Sequence, residues 1–286
     1  MTTPSHRASA GAGDRNLFLR VASAAVLVPL VLALAYLGGW PFLILCALGA
    51  GGITWEWGRL VADGREDYPT LAAGWASLLA AAAFTAVNKL GLAITALAAG
   101  AVLAALSTAK RPPARKVWAA GGMIYAGVAF LGPVLLRRDA ELGFAAFLFL
   151  AATVWMTDTL AYFVGRALGG PLLWPQVSPN KTWSGAIGGL AGGVAGGTLV
   201  AYANGLGRLA VVGAVALVLS AAAQAGDLFE SAVKRHFGVK DTGRLIPGHG
   251  GLMDRLDGFL VAAFVAVLIG IAHQGTDAPA HGLLVW

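Results

Sequence analysis

The residues from Ser231 to Asp257, SAVKRHFGVKDTGRLIPGHGGLMDRLD, crowd Lys234, Arg235, Lys240, Arg244 and Arg255 together with Asp241, Asp254, Asp257, His236 and His249, between two strongly apolar runs. The run before it, LVLSAAAQAGDLFES, sets Ser220, Gln224, Asp227 and Ser231 at helical spacings of four, three and four, with Glu230 close to the same face. Two carboxylates at the end of an apolar helix repel each other unless a cation or protons compensate. The segment after it, HGGLMDRLDGFL, puts Asp254 and Asp257 three apart on one face at the entrance of the next helix. Two helices joined by one loop therefore offer facing carboxylates, and hard oxygen donors of this kind suit Mg²⁺. Metal-binding acids, Asp227 and Asp254 with Glu230 and Asp257, beside phosphate-binding cations form a phosphoryl- or nucleotidyl-transfer pattern. Gly248, Gly250 and Gly251 let backbone approach a phosphate closely. His249 is placed either to act on a phosphate oxygen or to make a structural hydrogen bond.

Two upstream segments add candidates. ATVWMTDTLAYFVGR places Asp158, Tyr162 and Arg166 at intervals of four on one helix face. An aspartate there costs about 2.5–3.5 kcal/mol to insert, so it must face protein or water. It serves either the site or a local ladder through Tyr162 to Arg166. WPQVSPNKTWSG reads as a loop whose Ser178, Asn180, Lys181 and Thr182 offer donors at a helix N-terminus, where anions are favoured. The chain has no GxxxxGK[ST] sequence, so a P-loop nucleotide site is unsupported.

The elements that must position these groups are membrane helices. Of 286 residues, 58% are hydrophobic and 12% charged, about half the charged share of a soluble domain. Apolar runs long enough to cross a hydrocarbon layer of about 30 Å recur near 17–37, 41–58, 70–87, 90–107, 117–136, 142–164, 185–203, 208–228 and 258–273. The expectation is an all-α, polytopic bundle of about nine spans with a cytoplasmic N-terminus. Only Lys89, Arg137, Arg138 and Arg208 of the 20 Lys and Arg then fall outside, as the positive-inside rule requires. The expected organisation is a disordered cytoplasmic segment 1–16, N-terminal membrane helices over 17–140, catalytic helices and loops over 141–275 within the same integrated domain, and a short tail 276–286. The first span is longer than a signal-peptide core, so it is expected to be retained. The lone Cys46 rules out a disulfide within the chain. Glu56, between Trp55 and Trp57, reads as an interfacial anchor. Gly185, Gly189, Gly193 and Gly197, flanked by Gly188, Gly192 and Gly196, make a smooth helix for close packing within or between protomers, which leaves a homodimer open.

These residues also carry a resemblance. Ser231, Lys234-Arg235, Lys240-Asp241, Gly243, Pro247, His249-Gly250-Gly251, Asp254-Arg255 and Asp257 occupy every fixed position of the signature of the phosphatidate cytidylyltransferase (CDP-diacylglycerol synthase) family. DTLAYFVGRALG and SPNKTWSG are similar to two further segments of that family, except that Ser184 stands where a glutamate is usual. The likeness covers roughly residues 150–260. It implies an enzyme that joins CTP and phosphatidic acid into CDP-diacylglycerol with release of pyrophosphate, and that uses Mg²⁺, with a second cation open. It also maps Asp227 and Asp254 onto the family's metal-binding aspartates. The implied setting is a bacterial inner membrane with the site facing the cytoplasm and membrane lipids around it; no nucleic-acid partner is expected.

The expected reaction is in-line transfer. The phosphatidate oxyanion is itself the nucleophile, and the obstacle is repulsion between two polyanions, relieved by Lys181, Lys240, Arg244 and Arg255. Two other readings keep part of the chemistry. A CTP-dependent lipid kinase would move a terminal phosphate and release CDP. A cation-coupled transporter would use Asp158, Asp227 and Glu230 as an ion path, although such sites lie near mid-membrane.

Overall fold

A computed structural model describes residues 10–108, 112–243, 245 and 250–286, with side chains from residue 21 onward. Ten helices follow in order: α1 (Ala10–Leu37), α2 (Gly39–Val61), α3 (Tyr68–Ala86), α4 (Leu90–Ser107), α5 (Pro113–Arg137), α6 (Gly143–Leu168), α7 (Trp183–Ala203), α8 (Leu209–His236), α9 (Met253–Gln274) and α10 (Pro279–Leu284). Seven of them, α3 to α9, are long and apolar enough to cross a membrane. α1 and α2 coincide with the other two expected spans: α1 carries the apolar stretch Val21–Leu37, and α2 ends in the polar segment WEWGR. The chain is thus an integral membrane protein built as a helical bundle. Residues 1–9 of the segment expected to be disordered lie outside the described residues, and its remainder begins α1.

Two apolar clusters hold the bundle. One joins α2, α3, α4 and α5 to the last turns of α8 and the first turns of α9 through Ile53, Trp57, Met123, Phe130, Val233 and Met253. The other joins α5, α6, α8, α9 and α10 through Leu136, Phe149, Leu150, Leu219 and Leu283. The glycine helix α7 lies against α6. A Cβ at Gly192 would stand 2.6 Å from the Met156 carbonyl oxygen, and one at Gly196 2.8 Å from that of Ala152. Gly193 faces Thr157 of α6 and Ser220 of α8, whose hydroxyls lie 2.6 Å apart. Both glycine rows are therefore used inside one chain. Ser220 and Gln224, read as the upper part of a site stripe, donate to the α7 carbonyls of Gly189 (3.3 Å) and Ala186 (3.2 Å).

Polar contacts sort the connections between helices onto two ends. Arg115 at the start of α5 bonds Asp63 after α2 at 2.6 Å. Trp118 packs on His236 at the end of α8, with ring centroids 4.8 Å apart. The described residues of the segments near 59–69, 108–116, 165–184 and 229–257, expected on one side, thus meet at one end of the bundle.

One segment differs from expectation. Residues 172–182 form an antiparallel hairpin, β1 (Leu172–Trp174) with β2 (Ser178–Thr182), in register Leu172↔Thr182 and Trp174↔Ser178. A loop was expected over 174–185. The strands are too short for period-two patterning to register, and prolines are tolerated at the edges of a two-stranded ribbon.

The tail 276–286 carries α10, docked on α9. Gly282 and Gly270 face each other so closely that a Cβ on either would strike the partner backbone. At that end His281 Nδ1 lies 2.8 Å from Asp139 Oδ2, between α5 and α6. Burial alone would raise the Asp139 carboxyl. Hydrogen bonds from Leu142 N–H, the His281 ring and Glu141 N–H outweigh it and hold the pKa below the usual value. Unfolding returns Asp139 to about 3.9, so the unfolded chain takes up its proton first as pH falls. This contribution is complete above about pH 4 and disappears as pH drops through the lowered folded value. Thermal unfolding in detergent at pH 3 and pH 6 should therefore show a smaller acid loss for Asp139→Asn than for the parent; equal losses would refute the assignment.

Candidate active site

The last turns of α8, the first turns of α9, the hairpin and the end of α2 converge on one polar cluster. Helix α8 ends in Lys234, Arg235 and His236, and the positive charge of Lys234 and Arg235 suits a helix C-terminus. Lys234 Nζ bridges two acids at once, Glu230 Oε2 at 2.5 Å and Asp254 Oδ1 at 2.8 Å. Asp254 Oδ2 in turn accepts Thr242 N, Thr242 Oγ1 and Gly251 N, each at 3.0 Å. The Asp254 side chain is only 7% exposed, and these donors fix both of its oxygens. Glu230 is buried at 1% exposure, and its Oε1 has no hydrogen-bond partner.

On the other flank, Lys181 of β2 forms an ion pair with Asp227 Oδ2, and Ser231 Oγ reaches Asp227 Oδ1 at 3.5 Å. Asp158, Asp227 and Asp257 are near enough for their charges to act on one another, and Lys181 acts on Asp158. Asp257 Oδ1 accepts the Gly258 N–H at 2.7 Å. Asp158 is exposed and faces this group. The Tyr162 to Arg166 step of the expected ladder is present at 2.7 Å, and the charges acting on Asp158 come from α8, α9 and the hairpin instead.

The hairpin is tied to α8 twice, by Lys181 to Asp227 and by Arg235 Nε donating to the Val177 carbonyl at 3.3 Å. Thr182 serves as the N-cap of α7, its Oγ1 accepting from Gly185 N at 3.1 Å. Ser184 hydrogen-bonds the Gly169 carbonyl and Thr182 Oγ1. At the position where a glutamate is usual, this chain thus has a hydroxyl that braces the hairpin. Ser178 is half-buried, Asn180 exposed, Lys240 exposed near the cluster, and Arg255 exposed on the first turn of α9. Arg244 and His249 lie outside the described residues.

Sequence reasoning missed Glu56. It is fully buried inside the protein instead of exposed as an anchor. Its carboxylate accepts Leu252 N and Met253 N, both at 2.8 Å, and Thr242 Oγ1 at 3.2 Å. An acid flanked by tryptophans at the inner end of a span looks like an anchor, and nothing local in the sequence points to partners so distant in the chain.

The donor set suits a hard divalent cation: carboxylates of Asp227, Glu230, Asp254 and Asp257 from two adjoining helices, with Glu230 Oε1 buried and unpartnered. In this arrangement Lys181 is the counter-ion of Asp227, and Lys234 that of Glu230 and Asp254. Among the described residues no three acid, His or Cys side chains already converge as a metal cage.

Fold and site together define a membrane-embedded bundle with a charged site at one end, stocked for phosphate chemistry. A sequence model of the Cytidylyltransferase family matches residues 18–272. The phosphatidate cytidylyltransferase of Brucella suis biovar 1 (strain 1330) is 43% identical over 269 residues, 92% of this chain and 97% of the relative. Proteins of the same name from Staphylococcus haemolyticus (strain JCSC1435) and Bacillus subtilis (strain 168) are 42% and 39% identical, over 51% and 52% of this chain and 55% and 56% of their own lengths. The chain belongs to the cytidylyltransferase family.

Proposed function

We infer that this chain is a phosphatidate cytidylyltransferase. The reading is carried by one observation: the Asp254–Lys234 and Asp227–Lys181 pairs stand at the same end of the bundle, in a chain similar to a curated phosphatidate cytidylyltransferase over nearly its whole length. A phosphate oxygen of phosphatidic acid attacks the α-phosphorus of CTP, the bond from that phosphorus to the bridging oxygen of the β-phosphate breaks, and pyrophosphate leaves with CDP-diacylglycerol as the other product. The nucleophile is already anionic, so the protein needs no covalent intermediate. Its task is to bring two polyanions together.

Lys181 on the hairpin, with Lys240 and Arg255 at the rim, meets the triphosphate. Arg235 and Lys234 hold the wall formed by α8. Asp227 and Asp254, with Glu230 and Asp257, would hold Mg²⁺, which when bound neutralises phosphate charge and polarises the reacting phosphoryl group. A triphosphate drawing Lys181 and Lys234 toward itself would release carboxylate oxygens for that role. The site lies at the inner water boundary of a bacterial cytoplasmic membrane, with the N-terminus in the cytoplasm. There CTP arrives from solution and the lipid from the inner leaflet.

The test supplies purified protein with CTP, phosphatidic acid and Mg²⁺ and identifies both products. Equimolar pyrophosphate and CDP-lipid are expected. CDP with a phosphorylated lipid would establish a lipid kinase instead, and no turnover of CTP would overturn the transferase reading.

A further inference from the structure

Helix α9 starts without a cap of its own. Leu252 at its N-cap makes no side-chain cap bond, and the first N–H groups of a helix have no acceptor within it. Glu56 supplies that acceptor from α2. Oε1 takes Leu252 N, and Oε2 takes Met253 N and lies 3.2 Å from Thr242 Oγ1. The same Thr242 hydroxyl is 3.0 Å from Asp254 Oδ2. It has one proton to give, so Glu56 and Asp254 share it.

The described residues on either side of the α8–α9 connection close on this carboxylate. A Cβ at Gly243 would stand 2.6 Å from Glu56 Oε1, and one at Gly251 2.9 Å from Oε2. Both glycines are signature positions, and at both the space that a side chain would need is taken by Glu56. We propose that Glu56 is a positioning residue of the transfer site: it fixes the start of α9 and Thr242, and through them the direction of the Asp254 carboxylate. The proposal deepens the transferase reading, and its kinetic arm rests on that reading.

The test uses the full chain in detergent. Glu56→Gln keeps the size but turns an amide donor toward backbone N–H donors. Hydrogen–deuterium exchange at the 251–253 amides should rise about tenfold or more, while α6 and α7 keep their protection. Steady-state turnover should show kcat lowered about tenfold or more, with KM for phosphatidic acid within about twofold and the Mg²⁺ concentration for half-maximal rate raised. Gly243→Ala, which pushes on Glu56 from the loop side, should reproduce the exchange pattern and keeps the test available if Glu56→Gln does not fold. Unchanged exchange at 251–253 in either variant overturns the proposal. So does a kcat loss that vanishes once rates are normalised to folded protein. If the parent chain makes no CDP-lipid, the transferase reading fails while the exchange result still decides whether Glu56 holds the loop.

Discussion

Replacing Asp254 by asparagine should reduce CDP-lipid formation by about 10²–10³-fold in protein that remains folded. Asp254 is the most heavily engaged acid of the site, with Lys234 on Oδ1 and three donors on Oδ2. Asparagine matches its shape but presents an NH₂ group to one of these sets. If its oxygen keeps Thr242 and Gly251, the amide nitrogen confronts the Lys234 ammonium, and the pair with Lys234 is lost. If it turns over, two backbone N–H groups lose their acceptor. In both orientations a negative charge is removed between Lys234 and the expected cation. Activity per folded molecule is the measurement, with circular dichroism and size-exclusion profiles as the control for folding. A variant within about tenfold of the parent would show that Asp254 organises the loop without taking part in transfer.

The second large effect is on the fold. Gly192→Val should strongly reduce the yield of folded protein and lower its thermal midpoint. The new Cβ would meet the Met156 carbonyl at 2.6 Å and the Leu160 side chain at 2.9 Å. A backbone oxygen cannot rotate away as a side chain can, so α6 and α7 must separate. Overpacking of this kind costs about 1–3 kcal/mol, and the β-branched side chain adds rotamer strain. Gly121 provides the control, because a Cβ there has nothing within 4 Å. Gly121→Val should keep its yield. Equal behaviour of the two variants would mean that the α6–α7 contact is looser than described.

The site was legible in the sequence where its parts lie close together in the chain. The three-residue step from Asp254 to Asp257 and the spacing from Asp227 to Ser231 identify helix faces because helical periodicity is local. The spacing of the glycines in α7 indicated close packing, and α6 and α8 now account for both rows. Pairing across the bundle was harder to read. Hydropathy reports which segments enter the membrane, not which faces meet there. Lys181 was a candidate phosphate ligand by position beside a helix start, but its pairing with Asp227 depends on a hairpin too short to leave a pattern. Arg235 was read as a substrate contact, whereas the structure uses it in part to hold the Val177 carbonyl. Glu56 was hidden most completely, since the tryptophans around it are what an interfacial anchor would have.

The distance in sequence between Glu56 and its partners bears on how the chain is made. Thr242, Leu252 and Met253 follow it by 186, 196 and 197 residues. During synthesis α2 therefore leaves the ribosome long before anything exists to satisfy its carboxylate. The nascent N-terminal helices must keep that acid at the aqueous boundary until the last spans arrive. Closure around it is then a late step of biogenesis, and a ribosome halted before codon 252 would leave the acid without its backbone partners.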